Sequence, residues 1–263
     1  MINFSTTLAF ILLIMADGPE AAETDGSSPR ILLKNVSYVS IRINGTHHCM
    51  GSMISNRHVL VPAHCTQGTS AEKIQVVVRS TNFMDHSNIT ITEDCYNVTS
   101  AAYASKYVQD GPKYNDDIAV LLLNGHFEKL KGTKSLTIKE RIPEGERFDI
   151  TIYGFDENYD LVADFPRLVN STSCNESYKH WGGITSGQMC AISEHKMCNS
   201  DAGSALLVQN DLFAIMSYSG DDCTDIDPKP KYPTVFTAVR NHFSWISKMV
   251  DLMDKSRVVP SKE

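Results

Sequence analysis

The chain carries no excess of positive charge and no basic stripe. Its formal net charge is −7 over 263 residues, which argues against nucleic acid as a natural partner. Beyond the first residues no apolar run is long enough to span a bilayer. There is no internal repeat, no low-complexity tract and no extra cysteine-rich module, so solenoid, disordered and adaptor-domain architectures are excluded. The adjacent His47 and His48 have none of the Cys/His/Asp spacing of a zinc site around them, and the pair reads as exposed histidines. No cofactor and no metal are called for.

What is present points outside the cell. Residues 7–15 form a short apolar run, followed by Ala16 and a polar segment over 17–30. This reads as a secretory signal within residues 1–22, cleaved between 16 and 22, with a short polar leader at 23–30. It lacks a basic residue at its start, a minor departure from the usual pattern. Asn35, Asn44, Asn88, Asn97, Asn170 and Asn175 each open an Asn-x-Ser/Thr sequon, and such a cluster on a signal-bearing chain predicts glycans. Seven cysteines in an extracellular chain predict disulfides with one thiol left over. Short β-branched runs at 36–43, 74–78, 118–123, 149–153 and 212–218, separated by turn residues, predict an all-β domain. One helix is predicted near the end, where Val239, Phe243, Ile246, Met249, Val250 and Met253 recur at helical spacing.

Four blocks then follow in one order: Met50-Gly51-Ser52-Met53-Ile54-Ser55 leading to Val61-Pro62-Ala63-His64-Cys65; Asn115-Asp116-Asp117-Ile118-Ala119-Val120-Leu121-Leu122; Cys198-Asn199-Ser200-Asp201-Ala202-Gly203-Ser204-Ala205-Leu206; and Tyr232-Pro233-Thr234-Val235-Phe236-Thr237 with Trp245-Ile246. Together they resemble the chymotrypsin/trypsin-like serine protease family over roughly residues 31 to 250. The resemblance implies two six-stranded Greek-key β-barrels packed together, about 31–128 and 129–238, with a C-terminal helix at about 239–254. The domain would end near 255, with a tail at 256–263. The resemblance also implies disulfides pairing Cys49 with Cys65, Cys174 with Cys190 and Cys198 with Cys223, and leaves Cys95 unpaired, either inert or bridging to a second chain.

In such a site His64 is the general base and Asp117 orients it, but Ala202 stands where the nucleophilic serine belongs. A methyl group cannot attack a carbonyl. Around it Ser200 replaces the glycine that is the main oxyanion donor, while Asp201 is kept. Ser204 and Ala205 replace the family's glycine and proline further along. Lys196 stands where trypsins have aspartate at the pocket base. The wall is Ser217-Tyr218-Ser219, and Thr234 replaces a pocket glycine, so the pocket is expected to be narrowed. Arg30-Ile31 superficially fits an activation site, but Leu32-Leu33 follows in place of the two glycines.

These departures imply a secreted, non-catalytic homologue that binds extracellular proteins as cofactor, decoy or regulator of a protease network, with no membrane attachment. Two alternatives remain open at this point. One is a weak serine endopeptidase using Ser200 or Ser204. The other is a structural component of a secretion, disulfide-linked to a partner through Cys95.

Overall fold

The computed structural model describes residues 37–78, 95–104, 114–127, 133–138, 150–155, 161–194, 196–221 and 229–256. The signal, leader and Arg30-Ile31, together with Asn35, Asn88, Cys223 and residues 257–263, lie outside the described residues.

Six strands make a closed barrel: β1 (Tyr38–Ile43), β2 (Thr46–Met53), β3 (His58–Val61), β4 (Ile74–Val78), β5 (Cys95–Tyr103) and β6 (Ala119–Leu123). Every neighbouring pair is antiparallel, in the order β1-β2-β3-β6-β5-β4. The β1–β2 hairpin turns on Asn44-Gly45, both at positive φ (54° and 84°), the pairing whose twist matches the flanking strands. Period-two alternation aims Val39, Ile41, Val76 and Val98 inward to the barrel core.

The second unit comprises β7 (Ile150–Phe155), β8 (Leu161–Asp164), β9 (Arg167–Val169), β10 (Gln188–Ile192), β11 (Ala205–Val208), β12 (Asp211–Tyr218) and β13 (Thr234–Ala238). The two-barrel expectation holds with one difference of detail. Among the described residues this unit is a seven-stranded sheet, ordered β8-β7-β11-β12-β13-β10-β9, rather than a closed ring of six. Its two end strands, β8 and β9, are joined only by Phe165-Pro166. Proline offers no N–H to a ladder, which ends one strand and frees the next to leave for the other side of the sheet.

A short helix α1 (Ser171–Ser177) follows β9, and the predicted terminal helix opens as a 3-10 turn at Val239–His242 before becoming α2 (Phe243–Ser256). The helix seals the seam between the units. Val120 and Leu122 of β6 pack with Leu207 of β11, Leu212 and Ile215 of β12, and Ile246 and Met253 of α2. β6 thus buries both faces: Ala119, Leu121 and Leu123 fill the barrel while Val120 and Leu122 fill the seam. A strand with two apolar neighbours reads as a continuous apolar run, and Ala-Val-Leu-Leu-Leu is one.

Candidate functional site

The catalytic pair of the resemblance is assembled at this seam. A 3-10 turn over Ala63–Cys65 follows β3 and is tied back to β2 by the Cys49–Cys65 disulfide, with Cα atoms 6.1 Å apart. Asp117, just ahead of β6, is fully buried. Its Oδ1 accepts from the His64 backbone N–H at 2.9 Å, and its Oδ2 accepts from His64 Nδ1 at 2.7 Å and from Ser217 Oγ at 2.5 Å. An ionised carboxylate only accepts, so the neutral imidazole carries its proton on Nδ1 and leaves Nε2 as the basic nitrogen. The Asp117 carbonyl takes a further bond from Thr237 Oγ1 at 3.2 Å. These donors come from both units.

Two neighbours of this pair were not read from the sequence. Tyr114, at φ +51°, lays its ring 4.8 Å from the His64 ring and 5.8 Å from that of Tyr218. Asp116, at φ +52°, places Oδ1 3.2 Å from Nε2 of His242, in the turn before α2. The only sequence signal for either was adjacency to Asn115-Asp116-Asp117.

The loop that carries Ala202 is wound into a 3-10 turn, Asn199–Asp201. Two of its donors are spent internally: Asp201 N–H bonds to Cys198 O at 2.9 Å and Ala202 N–H to Asn199 O at 3.1 Å. The buried Asp201 carboxylate accepts from Cys198 N–H at 2.7 Å. Ala202 has no exposed surface, and its carbonyl accepts from Met50 N–H at 2.7 Å. Gly203, at φ +93°, comes so close to β2 that a Cβ there would lie 1.9 Å from Met50 O. Only glycine fits that approach. Ser204 is buried and points its hydroxyl at Met50 Sδ, 3.0 Å away.

Ser200 is exposed, but its carbonyl is gripped by His47 Nε2 at 3.1 Å. A carbonyl only accepts, so His47 carries its proton on Nε2, and Nδ1 accepts from Ser40 Oγ at 2.8 Å. The exposed-histidine expectation is therefore corrected: His48 is exposed, whereas His47 is half-buried in this relay. Burial pushes the His47 imidazole down to about 4, assisted by Arg42 and His48 and opposed by the Ser200 carbonyl. A contact 153 positions away in sequence leaves no local pattern to find.

At the specificity pocket, Thr234 is buried at the start of β13 and Ser219 is half-buried just past β12. Lys196 is half-buried directly before Met197, whose Cε lies 3.1 Å from where a Cβ on Gly154 would be. Tyr178 Oη donates to Pro233 O at 2.7 Å and accepts from Gly220 N–H at 3.0 Å.

Cys174 is bonded to Cys190. Cys198 is also disulfide-bonded; its expected mate Cys223 is outside the described residues. Cys95 is free and half-buried on β5. The sulfur atoms of Cys49 and Cys65 and a ring nitrogen of His64 lie within 4.8 Å of one another. With both sulfurs in one disulfide, no thiolate is available to a metal. Among the sequons, Asn44 and Asn97 are exposed on the first barrel. Asn170 caps α1 by accepting from Ser173 N–H at 2.8 Å, and Asn175 accepts from Ile184 N–H at 3.1 Å.

Comparison with known proteins matches residues 34–246 to a family model described as trypsin. Trypsin zeta of Drosophila melanogaster is 28% identical over 220 residues, covering 78% of this chain and 74% of its own. Granzyme M of Rattus norvegicus is 27% identical over 226 residues, covering 81% and 83%. Among solved structures, mouse neuropsin, a serine protease, superposes with a TM-score of 0.66 at 22% identity, covering 81% of this chain and 94% of that one. An inactivated protease paralogue of the scabies mite gives 0.67 at 19% identity, covering 82% and 92%. Both solved structures establish the fold alone.

Proposed function

We propose that this chain, which belongs to the trypsin family, is a secreted member without peptidase activity that works by binding other extracellular proteins. The observation that carries this reading is Ala202 at the nucleophile position. Asp117 fixes the tautomer of His64 and leaves Nε2 basic, yet Ala202 offers it no hydroxyl whose proton it could take. In a protease of this type loss of the serine costs on the order of a millionfold in turnover.

Two further features support it. The Ala202 N–H is bonded to Asn199 O, so it is not offered to a developing oxyanion, and losing one such donor costs about a hundredfold or more. The nearby serines are poor substitutes: Ser204 is buried against Met50, and the Ser200 carbonyl is held by His47. A weak endopeptidase that used either would need this loop to unwind.

The partner is an extracellular protein, engaged as a cofactor, decoy or regulator would engage it. The proposed contact surface is the stretch at 80–110, expected as a loop but containing barrel strand β5, together with 221–231, since segments that join strands vary without harm to the barrels and carry recognition. A disulfide-linked structural role would run through Cys95, the free thiol among the described cysteines. Secretion rests on the signal-like segment and glycosylation on the sequons; no described helix is long and apolar enough to cross a membrane.

An active-site fluorophosphonate probe tests the central point. No labelling is expected at any serine, while a trypsin control labels fully. Stoichiometric labelling at Ser200 or Ser204 would overturn the reading. Affinity capture from the native secretion, with residues 80–94 and 222–228 substituted outside β5 and in parallel with Lys196 and Thr234 variants, tests where binding occurs. Loss of capture only in the cleft variants would move the partner into the old cleft.

A further inference from the structure

Two sulfurs lie beside the basic nitrogen of His64. The sulfur atoms of Cys49 and Cys65 and a ring nitrogen of His64 fall within 4.8 Å of one another, and Nε2 is 3.6 Å from Cys65 Sγ. Bonds of about 2.0 Å to nitrogen and about 2.3 Å to sulfur put two ligands of one tetrahedral zinc about 3.5 Å apart. Two thiolates on the same ion stand about 3.8 Å apart, a span within reach of side chains on Cα atoms 6.1 Å apart. In the oxidised chain the two sulfurs are committed to each other. Two electrons turn them into ligands.

The frame around them does not depend on the cross-link. Cys49 lies in β2 opposite Ile41 of β1, and β2 pairs with β3 through Ser52 and Met53. Cys65 donates its N–H to Pro62 O at 3.3 Å, and the His64 N–H is held by Asp117 Oδ1 at 2.9 Å. Opening the disulfide therefore releases two side chains and leaves the backbone in register. The imidazole is already prepared. Asp117 Oδ2 accepts the Nδ1 proton at 2.7 Å, so Nε2 carries the lone pair, the carboxylate–histidine arrangement that orients metal-bound imidazoles.

We propose that Cys49, Cys65 and His64 form a redox-gated zinc site, shut as the disulfide and opened by a small dithiol. One thiolate of the dithiol attacks a sulfur, and its second thiol displaces the mixed disulfide. The dithiol leaves as a cyclic disulfide, and Cys49 and Cys65 emerge as thiols carrying its two electrons and two protons. Zinc displaces those protons and gains two thiolates and one imidazole. That donor set suits zinc and not the oxygen-seeking calcium or magnesium. The His64 side chain is 21% exposed, so a fourth position is open to water or to a donor from a partner. Cys49 and Cys65 are buried, which restricts the reductant to a small molecule. The inference is independent of the binding role proposed above.

The test uses the full-length, glycosylated chain, reduced with dithiothreitol, desalted without oxygen and titrated with zinc against a chromophoric chelator. The reduced chain should hold one zinc more than a Cys49→Ser, Cys65→Ser variant treated identically, which separates this site from the other cysteines. Reoxidation should release that zinc. His64→Gln should weaken binding by at least the roughly tenfold that an outer-shell partner commands. Zinc should also protect Cys49 and Cys65 from iodoacetamide, read by peptide mass, and this readout needs no variant to fold. Equal uptake by the double variant, unchanged affinity in His64→Gln, or no zinc-dependent protection would each overturn the proposal. Loss of the far-ultraviolet circular dichroism spectrum on reduction would do so too, because the frame would then have depended on the cross-link.

Discussion

A single side chain decides what the His64–Asp117 pair can do, and the surrounding residues decide whether it can be restored. Ala202→Ser should leave hydrolysis of casein and of a peptide library at background, because Ser200, Lys196 and Thr234 remain and the Ala202 N–H stays bonded to Asn199 O. Robust turnover by that variant would show that the loop unwinds on demand. Gly203→Ala should cost about 3 kcal/mol or more in denaturant unfolding, because φ is +93° and the added Cβ meets Met50 O. His47 gives a pH signature. Its folded value, about 4, lies below the ordinary 6.5, so the unfolded chain binds the proton first as pH falls. The contribution is whole above about pH 6.5 and is lost progressively down to about 4, roughly 2–3 kcal/mol in all. His47→Gln should flatten that part of the stability curve.

At the scale of elements, the seam is where the energy concentrates. Ile246→Ala in α2 should destabilise by about 3 kcal/mol, since the side chain is buried among residues of both units. Asp254, 3.0 Å from Arg57 Nε and 2.6 Å from Arg57 Nη2, is 45% exposed, so Asp254→Asn should cost less than about 1 kcal/mol. The contrast between the two variants, read from unfolding midpoints, separates seam packing from surface charge. These elements were legible in the sequence wherever a short-range pattern carried them. The run at 118–123, the strand at 74–78 and the helical spacing from Val239 to Met253 match the elements found there. What the sequence did not reveal is contact across distance. Nothing local to Tyr114 says that its ring lies on His64, and His47 looks like any histidine until Ser200 is brought to it. In the second unit only the runs at 149–153 and 212–218 read as strands in the sequence; the others are three to five residues long, and Arg167-Leu168-Val169 of β9 is too short to show a period.

For the molecule as a whole, a shared seam means shared fate. The two units should unfold together, with tryptophan fluorescence and far-ultraviolet circular dichroism giving one coincident transition in denaturant. Two resolved transitions would mean that α2 and β6 do not couple the halves.

Asp117 is the knot in that coupling. It collects two hydrogen bonds from His64 in the first barrel, one from Ser217 on β12 and, at its carbonyl, one from Thr237 on β13. A buried carboxylate that loses such partners is costly, so these residues answer to folding whether or not a peptide is ever cut. Selection on foldability alone would therefore keep the histidine–aspartate couple in place, as a tie between the two barrels, whether or not the site cuts anything.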